Sequence, residues 1–381
     1  MSELLSPVKL PYLFYKNASE LISGYDGSVP FHLYLKERFR ENKNWGSKDR
    51  KRYRACCYWY WRNAYGVSRH NATEILPFLQ THFPASSSPE NSTTAESLQK
   101  DEIIQPYASF EQQLSENLDV PTLSNWFQTE PWVWLRAIQG KSKPVKSQLE
   151  KAAIEILEQR DHSFAVSAQA NLDSITQQGF AYIQDIGSQE AMDWHNLPLQ
   201  ALCNADHTLW DCCSGAGGKS LTLLQNHPQA QVTCSDVRKN ILENLQKRFQ
   251  LHQLKSPKTH VCDLTQGTNS IRANIVLADV PCSGSGTWRR NPENLHFFTF
   301  PEIAMYAQKQ QAILQQLADS VITGGYLVYL TCSVFKAENE DNISQFLTAH
   351  SQYSCVETGF CGGQSKGGDY IYRAVLQRIK D

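Results

Sequence analysis

The sequence predicts an α/β protein, with a doubly wound, mostly parallel sheet in its second half and an all-helical segment at its start. Three observations carry this. Short apolar runs rich in β-formers recur at 208–212, 231–235, 259–262, 274–278 and 326–330. Helix-like stretches at 219–225, 239–249 and 304–320 separate several of them. The first run leads into a glycine-rich loop that opens a helix. Strands alternating with helices in this way are joined by crossovers, which set the strands parallel and cover both faces of the sheet.

The segment 1–84 reads as helical, with helix-like stretches at 31–40 and 53–65. Between and into them runs a basic string: Lys43, Lys48, Arg50, Lys51, Arg52 and Arg54. The aromatics Tyr58, Trp59, Tyr60 and Trp61 follow. Consecutive helical side chains point in different directions, so some of these rings must be core. The basic string itself is a nucleic-acid-facing surface or a solvated face. Residues 85–94 are small and polar, the composition of a linker, which is assigned to 85–105. The connecting region 106–195 mixes a predicted helix at 148–158 with short strand-like pieces and carries Trp126, Trp132 and Trp134. The α/β pattern occupies 196–381.

At 381 residues the chain is long enough for two or three domains. Its net charge of -2 is unevenly spread and excludes no partner class. Eleven cysteines without a CxxC pair argue against a disulfide framework or a zinc ribbon, and no metal site is expected. The start lacks a basic stretch followed by an apolar one, so no secretory signal is expected. No apolar run approaches the roughly 18 residues that span a bilayer. The expectation is a cytoplasmic protein with reduced thiols and no membrane partner.

On doubly wound sheets ligands sit beyond the carboxyl ends of the strands, and every motif of interest falls there. Cys213-Ser214-Gly215-Ala216-Gly217-Gly218-Lys219 follows the first strand. Its glycines let the backbone approach a ligand, and the free N–H groups at the helix start favour an anionic group. Asp236 ends the second strand, where a carboxylate can take both ribose hydroxyls of a nucleoside cofactor. Asp263 ends the third and can accept from an adenine amino group. Gly218-Lys219-Ser220 matches the tail of a phosphate-binding P-loop, but that motif needs a glycine where Cys213 stands.

Two cysteines end strand patterns of their own. Cys282 lies in Asp279-Val280-Pro281-Cys282-Ser283-Gly284-Ser285-Gly286-Thr287, continued by Trp288-Arg289-Arg290-Asn291-Pro292-Glu293; Cys332 lies in Thr331-Cys332-Ser333, with Glu338-Asn339-Glu340 after it. A cysteine at a strand end is commonly a small buried apolar residue, and most of the eleven are read so. For Cys282 and Cys332 the flanking motifs point instead to thiolate chemistry. Cytosine C5 is a weak nucleophile; a thiolate adding at C6 makes it enamine-like, and a carboxylic acid at N3 eases that addition. The thiolate needs a neighbouring cation, for which Lys219, Arg289 and Arg290 are the candidates. Arg289 and Arg290 are also read as phosphate contacts.

These motifs resemble the NOL1/NOP2/Sun (RsmB-like) family of S-adenosylmethionine-dependent RNA cytosine-C5 methyltransferases, over roughly residues 175 to 380. The glycine-rich loop from Asp211 to Ser220 is similar to family motif I, the run from Asp279 to Glu293 to motif IV, and Thr331-Cys332-Ser333 to motif VI. The resemblance implies a Rossmann-like class I methyltransferase domain at 196–381 with S-adenosyl-L-methionine as cofactor. It implies Cys332 as nucleophile, Asp279 holding N3, and Cys282 assisting release. Cofactor contacts are expected from the seven loop residues, Asp236, Asp263 and Asp279. DNA cytosine methyltransferases use the Pro-Cys thiol as nucleophile, so the second cysteine favours RNA. Segment 1–84 is similar to the NusB-like domain of bacterial RsmB-type enzymes, which favours ribosomal RNA as partner, with tRNA as rival, and a monomer. Pro131-Trp132-Val133-Trp134-Leu135-Arg136 and Gln184-Asp185-Ile186-Gly187-Ser188-Gln189 resemble family segments linked to RNA placement and to the opening of the catalytic domain. Ala216 stands where family members usually have proline, and Gly367-Gly368-Asp369-Tyr370 departs from the usual Asp-Gly before two aromatics. The alternatives are a catalytically idle RNA-binding assembly factor that keeps the fold, and a DNA-type enzyme in which Cys282 attacks.

Overall fold

The computed structural model describes residues 11–67, 71–83, 105–203, 206–266, 271–363 and 367–380; the polar stretch at 85–94 lies outside them. The chain groups into two compact units. One comprises the residues through Glu111 together with Asp119–Glu130 and Trp288–Thr299; the other holds Gln112–Leu118, Pro131–Thr287 and Phe300–Asp381.

The first unit is helical. Helices Tyr12–Ser23, Phe31–Glu41, Ser47–Asn63 and Ala72–His82 surround a core of Ile22, Phe31, Leu35, Cys57, Tyr60, Trp61 and Leu79. The four consecutive aromatics divide as helical geometry requires: Tyr60 and Trp61 are buried, Tyr58 and Trp59 half-exposed. Gly46 N donates to Asp49 Oδ2 (3.1 Å), starting the helix Ser47–Asn63. On that helix Lys48, Lys51 and Arg54 are exposed, three residues apart and therefore on one side. The segment Trp288–Thr299 packs within this unit. His296 Nε2 lies 2.7 Å from Trp61 O, and Arg62 Nη2 donates to Arg289 O (3.0 Å). Arg289 is buried with its guanidinium 5.4 Å from the Trp126 ring centre, so it is a packing cation rather than the phosphate contact expected of it. Arg290 is exposed.

The second unit has two sheets. Strands β1 (Val133–Ala137), β2 (Glu158–Arg160), β3 (Ser163–Val166) and β4 (Ala181–Ile183) form an antiparallel sheet in the order β2-β3-β1-β4. The helix expected at 148–158 is instead Ser142–Lys151. The chain turns at Ala153, whose φ of 52° is left-handed, and β2 begins at Glu158.

The larger sheet contains β5 (Thr208–Asp211), β6 (Gln231–Asp236), β7 (Lys258–Val261), β8 (Ala273–Asp279), β9 (Val321–Thr331), β10 (Tyr353–Gly362) and β11 (Tyr370–Arg378). Its order is β10-β11-β9-β8-β5-β6-β7. Strands β5 to β9 pair in parallel, whereas β11 runs antiparallel to both β9 and β10. Five of these strands are the predicted apolar runs. The sheet is buried on both faces: along β8, Ile275 and Leu277 join one core and Val276 and Ala278 the other. The order reverses between β5 and β8, and at such a switch point the loops diverge to leave a crevice. No helix among the described residues is long and apolar enough to cross a membrane.

Candidate active site

The glycine-rich loop leaves β5 at Asp211 and turns into the helix Gly218–Asn226. Gly217 caps that helix at φ 75°, and a Cβ there would lie 2.7 Å from Leu245 Cγ, so both conformation and space demand glycine. Gly215, at φ 51°, borders open space. Ser214 N donates to Ser235 O (2.9 Å), tying the loop to β6. Gln184 secures the helix from below: its Oε1 accepts from Thr222 Oγ1 (2.6 Å) and its Nε2 donates to Gly218 O (3.2 Å). Arg136 braces the same helix at its far end, donating to Asn226 Oδ1 (2.7 Å) and to Gln189 Oε1 (3.0 Å).

Asp236 ends β6 and is buried. Its Oδ2 accepts from Gly215 N (3.0 Å) and Arg238 Nη2 (3.1 Å), and its Oδ1 from Arg238 N and Nε (both 2.9 Å). Burial acts to raise its pKa, but the hydrogen bonds from Arg238 and Gly215 outweigh it and hold the carboxyl below the ordinary carboxylate range. Asp263 follows β7. Its Oδ1 accepts from Thr265 N (2.9 Å) and Oγ1 (2.6 Å), and those bonds hold its pKa low.

Asp279 ends β8, and Lys219 Nζ donates to its Oδ2 (2.7 Å). Lys219 is largely buried and Asp279 one-third exposed. Burial acts to lower the Lys219 pKa; the charge and hydrogen bond of Asp279, then the charges of Cys332 and Asp211, overcome it and raise the value. Of the three cations considered for thiol activation, Lys219 is thus electrostatically coupled to Cys332. Asp211, buried at the loop's origin, accepts from Ser220 Oγ while its Oδ1 has no partner. Desolvation, helped by the Asp279 charge and opposed by Ser220 and Lys219, pushes its pKa up to about 7.

Cys332 follows β9, and its Sγ lies 3.2 Å from Cys282 Sγ. Cys332 N also points at Cys282 Sγ (3.3 Å). Both cysteines are free and partly exposed. The hydrogen bond to Cys332, with burial behind it, pushes the Cys282 thiol well above the ordinary range. Cys282 is therefore held as a thiol.

One fully buried carboxylate holds the two cysteine loops together. Glu338 Oε2 accepts from Ser283 N (2.9 Å) and Gln310 Nε2 (2.8 Å), and its Oε1 accepts from Ser333 Oγ (2.6 Å). Gln310 Nε2 also reaches Pro281 O (3.0 Å). Gly286 N donates to Cys332 O (2.9 Å); a Cβ on Gly286 would sit 2.3 Å from Tyr370 O. Gln310 stands in no motif of the sequence, and Gln184 stands only at the start of a family-like segment; a buried amide carries no sequence mark of the partner it faces. Cys213 is half-buried beside the loop, and Cys212 lies in the core behind it. Among the described residues no group of side chains is arranged to hold a metal ion.

Residues 199–375 match the family described as 16S rRNA methyltransferase RsmB/F. Curated relatives include the Ribosomal RNA small subunit methyltransferase B of Erwinia tasmaniensis, 32% identical over 210 residues that cover 52% of this chain and 47% of that protein. The protein of the same name from Pasteurella multocida is 30% identical over 277 residues, covering 66% of this chain and 60% of that one. The chain therefore spans about half of the first and under two thirds of the second. Among solved structures, PH0851 superposes with a TM-score of 0.71 at 18% identity, over 98% of this chain and 100% of that one. NSun6 from Pyrococcus horikoshii, solved with SFG, gives 0.60 at 14% identity, over 73% of this chain and 98% of that one. At these identities the likeness is one of fold.

The buried Asp211 makes stability depend on pH. Its folded pKa of about 7 exceeds the ordinary 3.8, so the folded state favours the protonated form. The contribution is fully present below about pH 4 and is lost as pH rises through 7. Asp211→Asn keeps an acceptor for Ser220 and removes the charge. In urea titrations its stability relative to wild type should rise between about pH 5 and about pH 8. A difference that stays flat across that range would contradict the buried, proton-binding carboxyl.

Proposed function

Residues 199–375 belonging to the RsmB/F methyltransferase family, we propose that this protein transfers a methyl group from S-adenosylmethionine to C5 of a cytosine in RNA, through a bond between Cys332 Sγ and cytosine C6. The observation that carries this reading is the meeting of two free sulfurs at 3.2 Å, one of them coupled to the Lys219–Asp279 pair. Small-subunit ribosomal RNA is the favoured substrate, because the curated relatives carry that substrate in their names. tRNA is the rival.

The loop and strand ends suit the cofactor. Gly215 faces open space, Asp236 offers a carboxylate for the ribose, and the exposed Val237 beside it offers apolar surface to a flat ring. Asp263 has a carboxylate at the adjacent strand end. When bound, S-adenosylmethionine supplies an electrophilic methyl group. The chain's own residues do the rest. The Cys332 thiolate, beside the Lys219 ammonium, adds to C6 while N3 takes a proton from water and the Asp279 carboxylate accepts a hydrogen bond from that N3–H, so that C5 gains enamine character. Once C5 carries the methyl group, water takes the C5 proton, the C6–S bond breaks with the electron pair returning to Cys332, and N3 gives its proton back to water. The Cys282 S–H hydrogen-bonds that sulfur as its charge returns. The exposed face of Lys48, Lys51 and Arg54 on the helical unit is suited to phosphate.

Mixing each cysteine variant with S-adenosylmethionine and substrate RNA tests the division of roles. Cys282→Ala should accumulate a protein–RNA adduct that survives denaturing electrophoresis, and Cys332→Ala should form none. The opposite pattern makes Cys282 the nucleophile. Bisulfite sequencing of RNA from cells with and without this chain should reveal one or a few cytosines that lose protection. No lost site would favour an assembly factor that keeps the fold without the activity. Charge reversal at Lys48, Lys51 and Arg54 together should weaken RNA binding and flatten its dependence on salt concentration by about two to three units of slope. Binding and slope equal to wild type would make this face merely solvated.

A further inference from the structure

The acceptor capacity of Asp236 is already filled. A carboxylate offers about four acceptor positions. Here Gly215 N and Arg238 Nη2 take Oδ2, and Arg238 N and Nε take Oδ1, all at 2.9–3.1 Å. Two of these donors are backbone amides, Gly215 N from the loop after β5 and Arg238 N from the turn that follows β6. The other two belong to one side chain, and that side chain is 59% exposed while Asp236 is 7% exposed. Arg238 thus reaches back from solvent onto a buried carboxylate and covers its open side with a planar fork of two N–H groups.

A ribose diol presents a similar pair of donors to a carboxylate. Resting on the reading of Asp236 as the ribose acceptor, we propose that Arg238 is a resident competitor for the ribose subsite, so that a nucleoside cofactor binds by displacing its guanidinium from Asp236. The displaced group goes to water, where its charge is readily solvated. The two backbone amides stay in place and keep the carboxylate oriented for the incoming hydroxyls. The guanidinium end of the pair is more than half exposed, so this competition trims affinity rather than blocking it. It also gives cofactor binding an unusual salt response, because salt screens the Arg238–Asp236 attraction without acting on an uncharged ribose.

S-adenosylhomocysteine, which carries no net charge and no transferable methyl group, is the probe for isothermal titration calorimetry on the full chain. Arg238→Ala should bind it about two- to five-fold more tightly than wild type. Wild-type affinity should increase between about 50 mM and about 500 mM sodium chloride, and that of Arg238→Ala should not. Arg238→Lys, which keeps the charge but lacks the two-pronged geometry, should fall between them. Equal or weaker binding by Arg238→Ala would overturn the proposal and make Arg238 a support for Asp236. Asp236→Ala separates this from failure of the ribose reading. It should lose most of the affinity, and if it binds like wild type the ribose assignment itself falls.

Discussion

The geometry of the two cysteine loops depends on one buried carboxylate. Glu338 gathers Ser283 N, Gln310 Nε2 and Ser333 Oγ, donors from both cysteine loops and from the helix Phe300–Leu317. Removing one partner of a buried polar group costs about 1–3 kcal/mol, more when a charge is involved. These bonds therefore give both loops a strong reason to stay in one arrangement. That arrangement sets the sulfurs 3.2 Å apart although fifty residues of chain separate them. Tyr329 extends the same network, its hydroxyl donating to Glu338 O (2.7 Å), so the hub is anchored in β9 itself. Precision at the reacting atoms comes from a shell whose members are themselves fully bonded.

The electrostatics follow from how few cations reach this pocket. Lys219 feels Asp279, Cys332 and Asp211, and its raised pKa means that all three stabilise its charge despite burial. One ammonium cannot neutralise three anions. Asp211, deepest in the core and with one oxygen unpaired, is the group that gives way and holds a proton up to about pH 7. Lys219 is thereby left to Asp279 and Cys332, at the ends of β8 and β9.

Much of the catalytic unit was legible in the sequence because parallel strands buried on both faces leave continuous apolar runs, and because their ends carry the polar residues. Asp211, Asp236, Asp263, Asp279 and Cys332 all stand at or just beyond such ends. The hairpin β10–β11 was not anticipated: β10 is buried only at Tyr353 and Cys361 and contains Gly359, so its apolar signal is weak. Nor does periodicity announce that Trp288–Thr299, directly after the motif carrying Cys282, packs with helices from the start of the chain. Arg289 illustrates the cost of that blind spot. Read beside its neighbour as a basic pair, it suggested phosphate, but burial against Trp126 shows a cation used for its flat, weakly hydrated face. The helix placed at 148–158 failed for a local reason, the left-handed turn at Ala153, which an alanine does not advertise.

The pairing of the cysteines also explains how two similar thiols can have different duties. Touching sulfurs cannot both ionise, since the second charge would face the first at van der Waals distance in a partly buried site. The neighbours of the two sulfurs differ. Cys282 has the Glu338 carboxylate on its side, which adds to the penalty on its anion. Cys332 has Lys219 on its side. The asymmetry is thus built into the scaffold: the carboxylate that binds the two loops together also biases Cys282 toward the thiol. A thiol held there remains a hydrogen-bond donor toward its neighbour. Structural hub and proton bias are the same residue, so the loop geometry and the bias of Cys282 toward the thiol rise or fall together.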